Sequence, residues 1–297
     1  MSKAFQRVWN AVCWSGTVSL AILIGYGLTW MGSSEGHEDA NAIPAIVKCG
    51  QKERQDFQPY VNVKEGDVWI DDFPMMDQGR SHWCQIYTLA RVMKYYGYDL
   101  DIQGVANLFG VNTNEVPSAV EMMKFLDALC AEAGLVRKVA IPKMEFSDRF
   151  FSDYNAIAQQ LYKPSLYLPA IVKPGICQHQ WKTTIDAEQL ATQLNKDVWM
   201  AYLDECHPGR LDLFWDAIRM AIDQRFPLGW SVLLGFLPEE RYDDGRAAFH
   251  MRVILGYNAV TEEVLYSDSW GERHMIKRMS IDDAYMITID LWRVAER

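Results

Sequence analysis

The apolar positions along this chain change their spacing twice. From Val8 to Met31 they form one long run, VWNAVCWSGTVSLAILIGYGLTWM, most apolar over Val18–Tyr26. From 33 to 60 few apolar positions recur, and the segment reads as a linker and lead-in. Beyond Cys84 they fall at Ile86, Leu89, Ala90, Met93 and Tyr96, the i, i+3, i+4, i+7, i+10 spacing of one helical face. Gly97 follows as a stop. A second helix is expected over Ser118–Ala133, with Ala119, Met122, Met123, Leu126, Leu129 and Cys130 inward and Gly134 behind it. Further helices are expected over Asp186–Leu194 and Asp212–Gln224. The chain then turns β-prone at Trp230–Phe236, Phe249–Tyr257, Val264–Asp268 and Met286–Val294, with Asp244-Gly245 as a turn signal. Helices first and strands after argue for an α+β domain of two packed halves over 61–297.

Composition narrows the function classes. With 29 basic against 39 acidic residues the net charge is −10, which excludes nucleic-acid binding driven by phosphate neutralisation. Lys3 and Arg7 precede the first apolar run, and GSSEGHEDANA follows it. That is the layout of a signal peptide or a transmembrane anchor, and the run exceeds the roughly 20 residues a bilayer span needs. The charge asymmetry favours an N-terminus inside and a main domain outside the membrane. Residues 1–32 are thus read as signal or membrane anchor, and the domain as extracytoplasmic, periplasmic or secreted. Ala40-Asn41-Ala42 and Gly32-Ser33-Ser34 leave cleavage and anchoring both open.

The segment DQGRSHWCQIYTLARVMKYYG places Cys84 in the first turn of the first helix. A helix N-terminus carries partial positive charge and unpaired N–H groups, which stabilise a thiolate. A lone helical cysteine is more often a small buried hydrophobe, but Cys84 leads its helix.

These residues resemble the papain-like cysteine peptidases. That family carries a glutamine, then glycine, with the nucleophilic cysteine six positions after the glutamine. Gln78-Gly79 and Cys84 have that spacing. Its histidine strand resembles His250-Met-Arg-Val-Ile-Leu-Gly256-Tyr257, and its Asn-Ser-Trp-Gly resembles Asp268-Ser269-Trp270-Gly271. The likeness is closest to the bacterial group related to double-glycine leader peptidases. There the shared features are Tyr-Tyr-Gly closing the helix, aspartate as third member, and a tail like Arg278-Met279-Ser280 with Asp282-Asp283-Ala284-Tyr285. The resemblance covers about 70–297 and is weak between motifs. It departs at Gln85, where papain has tryptophan, and at Asp268. The 166 residues from Cys84 to His250 leave room for an insertion around 140–210.

The resemblance implies a papain-like fold, with a helical half packed on a twisted antiparallel sheet half. It implies Cys84 as nucleophile, His250 as base, Asp268 as orienter, Gln78 with the Cys84 N–H as oxyanion hole, and Trp270 as a shield. The implied activity is hydrolysis of a peptide or protein substrate through an acyl-enzyme, without metal or cofactor. The same triad would also serve an amidase, an acyltransferase or a transglutaminase. An inactive binding module is disfavoured by the presence of all four polar residues. His82 reads as near the cleft or simply exposed, and Asp77 as a loop cap.

The remaining cysteines are Cys13, in the N-terminal run, and Cys49, Cys130, Cys177 and Cys206. Those four can pair three ways or stay free. Cys177-x-His179 with Cys206-His207 could supply four zinc ligands, but no CxxC pair supports it.

Overall fold

Polar groups buried among apolar neighbours, more than the apolar faces alone, set how the elements of this domain meet. The computed structural model describes residues 47–48, 61–113, 115, 119–161, 163–169, 172–177, 180–185, 187–238 and 247–297, all within the compact unit Ile46–Arg297. The signal or anchor segment, Cys49 and the Asp244-Gly245 turn lie outside these residues. Among the described residues no helix is long and apolar enough to cross a membrane.

The strands are β1 (Val47–Lys48), β2 (Val61–Lys64), β3 (Asp67–Ile70), β4 (Asp99–Leu100), β5 (Leu135–Ile141), β6 (Val172–Cys177), β7 (Gln180–Ile185), β8 (Leu228–Leu234), β9 (Ala248–Asn258), β10 (Glu263–Ser267), β11 (Lys277–Ser280) and β12 (Thr288–Glu296). The helices are α1 (Cys84–Tyr95), α2 (Ile102–Leu108), α3 (Ala119–Glu132), α4 (Asp148–Gln160), α5 (Ala187–Gln193), α6 (Lys196–Cys206), α7 (Arg210–Asp223) and α8 (Ile281–Ile287). The class is α+β. An eight-stranded antiparallel sheet runs β11-β10-β9-β8-β12-β5, with β3 and β2 added at β9. β8 pairs with β9 as far as Leu228↔Ile254, and β3 pairs beyond it from Trp69↔Gly256 to Asp67↔Asn258.

Helices and strands do not segregate along the chain as the apolar pattern suggested. β2, β3 and β5 precede the late strands and join the same sheet. They were missed because β5 is half exposed and reads LVRKVAI, with charges inside it. The expected linker holds β1, which pairs with β4. The expected strand from Met286 begins at Thr288, because Met286 and Ile287 close α8, capped by the Ser280 hydroxyl accepting from the Asp283 N–H. Residues 140–210 form α4, α5, α6 and the β6-β7 hairpin. There Phe150, Trp199 and Tyr202 pack ring on ring, with Trp199 and Tyr202 stacked 5.3 Å apart.

α1 is the second departure from the one-face reading. Thr88, Arg91, Val92 and Tyr95 are buried alongside Ile86, Leu89, Ala90 and Met93. The helix is therefore enclosed nearly all round, which a charged Arg91 and a hydroxyl at Thr88 hide from any hydropathy pattern. Both reach partners on other segments. Thr88 Oγ1 donates to the Met251 carbonyl at 3.0 Å, and Arg91 Nε donates to the Pro74 carbonyl at 2.8 Å.

Gly256 shows why its position takes glycine. A Cβ there would stand 2.5 Å from the Val68 carbonyl oxygen and 2.6 Å from Trp69 Cβ. β3 can follow β9 only if that atom is missing. Gly256→Ala is expected to cost about 1–3 kcal/mol, the usual penalty of overpacking, read as a lowered denaturant midpoint.

Candidate active site

Three sequence-distant segments converge on Cys84. The first is the loop before α1, held by Trp83, whose Nε1 donates to the Asn112 carbonyl at 2.9 Å. Cys84 is the first residue of α1 and is buried. Helical geometry leaves its N–H without an acceptor inside the helix. The second is β9, which carries His250. Thr88, one turn below Cys84, is tied to Met251, next to His250. That hydroxyl bond helps couple the helix to the histidine strand. The third is the Asp268–Gly271 stretch after β10. It joins the first loop through the Asp77↔Trp270 bridge and the Gln78 N–H donating to the Ser269 carbonyl at 2.8 Å.

The result is a continuous hydrogen-bonded chain. His250 Nε2 lies 2.9 Å from Asp268 Oδ1, and the ring also hydrogen-bonds the Cys84 sulfur. With Nε2 taken by the carboxylate, Nδ1 is the nitrogen that faces the thiol. Trp270 stacks on the imidazole at 4.6 Å between centroids and 24° between planes. It covers one face of the ring, and His250 and Asp268 are both buried.

Gln78 is held from both ends. Its Oε1 accepts from the Ser269 hydroxyl, and its Nε2 donates to the Ser81 carbonyl at 2.8 Å. These contacts orient the amide and leave its second N–H as a donor. His82, read as near the cleft or simply exposed, is exposed, and its backbone N–H is bound by the Thr113 carbonyl. Asp77 Oδ1 caps the Gly79 N–H at 2.8 Å, so it serves the loop.

The charges follow from this packing. Burial opposes a Cys84 thiolate, yet the His250 charge and hydrogen bond, with the backbone N–H groups of Met251 and Gln85, outweigh it and lower the pKa. Burial likewise opposes an imidazolium, but the Cys84 charge and the Asp268 hydrogen bond lift His250 to about 9. The lowered thiol and the raised imidazole each favour the charged form of the other, the direction of a thiolate–imidazolium pair. Burial would raise Asp268 as well, and Arg252, His250 and Lys277 hold it well below the usual carboxylate range.

Three charged neighbours of this site were not among the expected residues. Arg252 Nε donates to Asp268 Oδ1 at 2.8 Å, and Lys277 Nζ stands 3.5 Å from Oδ2. Arg91 lies behind them, its guanidinium bound to the Ser267 hydroxyl. The available signal was alternation: residue 252 shares a strand face with residue 250. A buried arginine in an apolar strand is costly unless paired, so its charge pointed at a carboxylate.

Elsewhere, Cys130 and Cys206 are free thiols, so neither takes part in the pairings left open above. The side chain of Cys177 and all of His179 lie outside the described residues. Among the described residues no cluster of three or more His, Cys, Asp or Glu side chains could hold a metal ion. A groove of about 550 Å³ between α4, α6 and the start of α7 is lined by Phe150, Tyr202, Cys206 and His207, apart from the Cys84 site.

Thiol reactivity checks the electrostatics. Burial and then Asp127 push Cys130 up to about 12, and burial raises Cys206. At pH 7, iodoacetamide is expected to alkylate Cys84 faster than either, on the order of tenfold or more, read by peptide mass mapping.

Comparisons with known proteins add little to this geometry. No family model and no curated protein matches the chain. Among solved structures, one from Bacillus anthracis with a provisional C39-like peptidase assignment aligns over 78% of this chain and 98% of its own. Identity there is 12% and the TM-score 0.31, too slight a likeness to transfer anything to this chain.

Proposed function

We propose that this chain is a thiol-dependent peptidase of papain-like architecture, acting through an acyl-enzyme outside the cytoplasm. The observation that carries this reading is the hydrogen-bonded chain from the Cys84 sulfur through His250 to Asp268, at a helix N-terminus and with a lowered thiol pKa. A structural cysteine needs none of this, and Cys130, buried in the same domain, is pushed the other way.

The chemistry follows from the charges. The Cys84 thiolate attacks the acyl carbon, and the carbonyl electron pair moves onto oxygen. That oxyanion is met by the free Gln78 N–H and the Cys84 N–H. The His250 imidazolium gives its proton to the leaving amine as the C–N bond breaks. The neutral imidazole then takes a proton from water, whose oxygen attacks the thioester. Release of the carboxylic acid restores the thiolate–imidazolium pair. Asp268 holds the ring with Nδ1 toward sulfur throughout. The basic-flanked apolar run at residues 8–31 supports placing the domain across a membrane from its N-terminus. It also supports membrane attachment where that run is retained. Location is read by protease accessibility of the domain in intact cells.

Activity against a peptide library is expected to vanish in Cys84→Ala. In Gln78→Ala, kcat is expected to fall by roughly 10²–10³, the usual loss of one oxyanion donor. An acyltransferase would instead form amide products with added amines, so hydrolysis that persists unchanged in their presence supports the peptidase. The pH profile carries a signed expectation. Hydrolysis rises as Cys84 ionises below the ordinary thiol range, and falls as pH climbs through about 9, where His250 loses its proton.

A further inference from the structure

The third member of this triad is an ionised carboxylate with 0% exposure, hydrogen-bonded to an arginine with 0% exposure. Asp268 Oδ1 accepts from two donors at once, His250 Nε2 at 2.9 Å and Arg252 Nε at 2.8 Å. Its other oxygen faces Lys277 from β11 at 3.5 Å, and Arg91 approaches from α1. These four are the charged groups facing the carboxylate from β9, β11 and α1. The guanidinium of Arg252 is fixed as well as paired. It lies 4.8 Å over the Tyr266 ring and 5.8 Å over the Trp230 ring.

We infer that Arg252, supported by Lys277, is a positioning residue that sets the charge of the triad: by sharing Oδ1 with His250 it makes Asp268 act as a near-neutral acceptor. A bare buried carboxylate against the imidazole would stabilise the imidazolium strongly. Such an imidazolium gives up its proton to a leaving group reluctantly, because a general acid works best with a pKa near the working pH. A carboxylate already bonded to a guanidinium still accepts from Nε2 and fixes the tautomer. Its field at the ring is offset in part by the guanidinium. This is the acceptor role an asparagine performs, built here from an ion pair. The inference rests on the proposed use of the Cys84–His250 pair, though its direct readout does not.

The experiment titrates the His250 ring by NMR in full-length Cys84→Ala protein, and compares it with the same chain carrying Arg252→Gln, Arg252→Lys or Lys277→Met. The expected result is a His250 pKa raised by about one unit in Arg252→Gln, the scale on which a close charge acts. Lys277→Met raises it less, and Arg252→Lys returns it toward the parent. With Cys84 restored, the alkaline limb of hydrolysis moves up and kcat falls while KM holds. A His250 pKa that stays put or falls in both Arg252→Gln and Lys277→Met overturns the inference. Should Arg252→Gln fail to fold, Lys277→Met decides alone, since Lys277 sits at the edge of the cluster with 14% side-chain exposure. The two readings fail separately. An unreactive Cys84 with the His250 shift present removes the peptidase and leaves the charge device. A reactive Cys84 with no shift does the reverse.

Discussion

Everything at this site depends on keeping one buried carboxylate ionised. Asp268 has no access to water, and an isolated ion there would neutralise itself by taking a proton. It stays charged because His250, Arg252 and Lys277 surround it. Those partners come from β9 and β11, strands flanking β10, whose end leads into Asp268. The antiparallel sheet is thus the device that delivers three cations to one anion. Tyr266 and Trp270 fill the space between them with rings that tolerate cations on their faces.

From that anchor the rest of the geometry is transmitted by few bonds. Asp268 orients His250, and Ser269 and Trp270 tie the Gln78 loop to the same segment. Thr88 carries the helix to the strand. Each link is a polar group buried with a partner, so removing one partner costs more than a surface bond would. The side chains of Gln78, Cys84, His250 and Asp268 can then be held in register although residues 78 to 268 separate them in the chain.

Much of the α+β architecture was legible because long amphipathic or β-prone runs leave strong periodic signals. α3, α7, β8, β9 and β10 lie within a few residues of where the apolar pattern puts them. The elements that were missed have an opposite character. β5 carries Arg137 and Lys138, and α4 and α6 mix charges with aromatics that meet only in three dimensions. α1 was seen as half-buried, because Thr88 and Arg91 read as solvent-facing until partners from β9 and the Pro74 loop are known.

By itself the sequence determined which residues could do chemistry. Gln78, Cys84, His250, Asp268 and Trp270 stand out through residue type and spacing, and Gly256 through its place in the motif. It could not determine the state of those groups, because charge in a protein is set by neighbours that are remote in the chain. That Asp268 shares its oxygen with Arg252, that Gln78 is pinned by Ser269, and that the Cys84 thiol is pushed down while the Cys130 thiol is pushed up were decided by the sheet and the helix it encloses. Spacing along a chain fixes periodicity, and only packing fixes distance, burial and therefore charge.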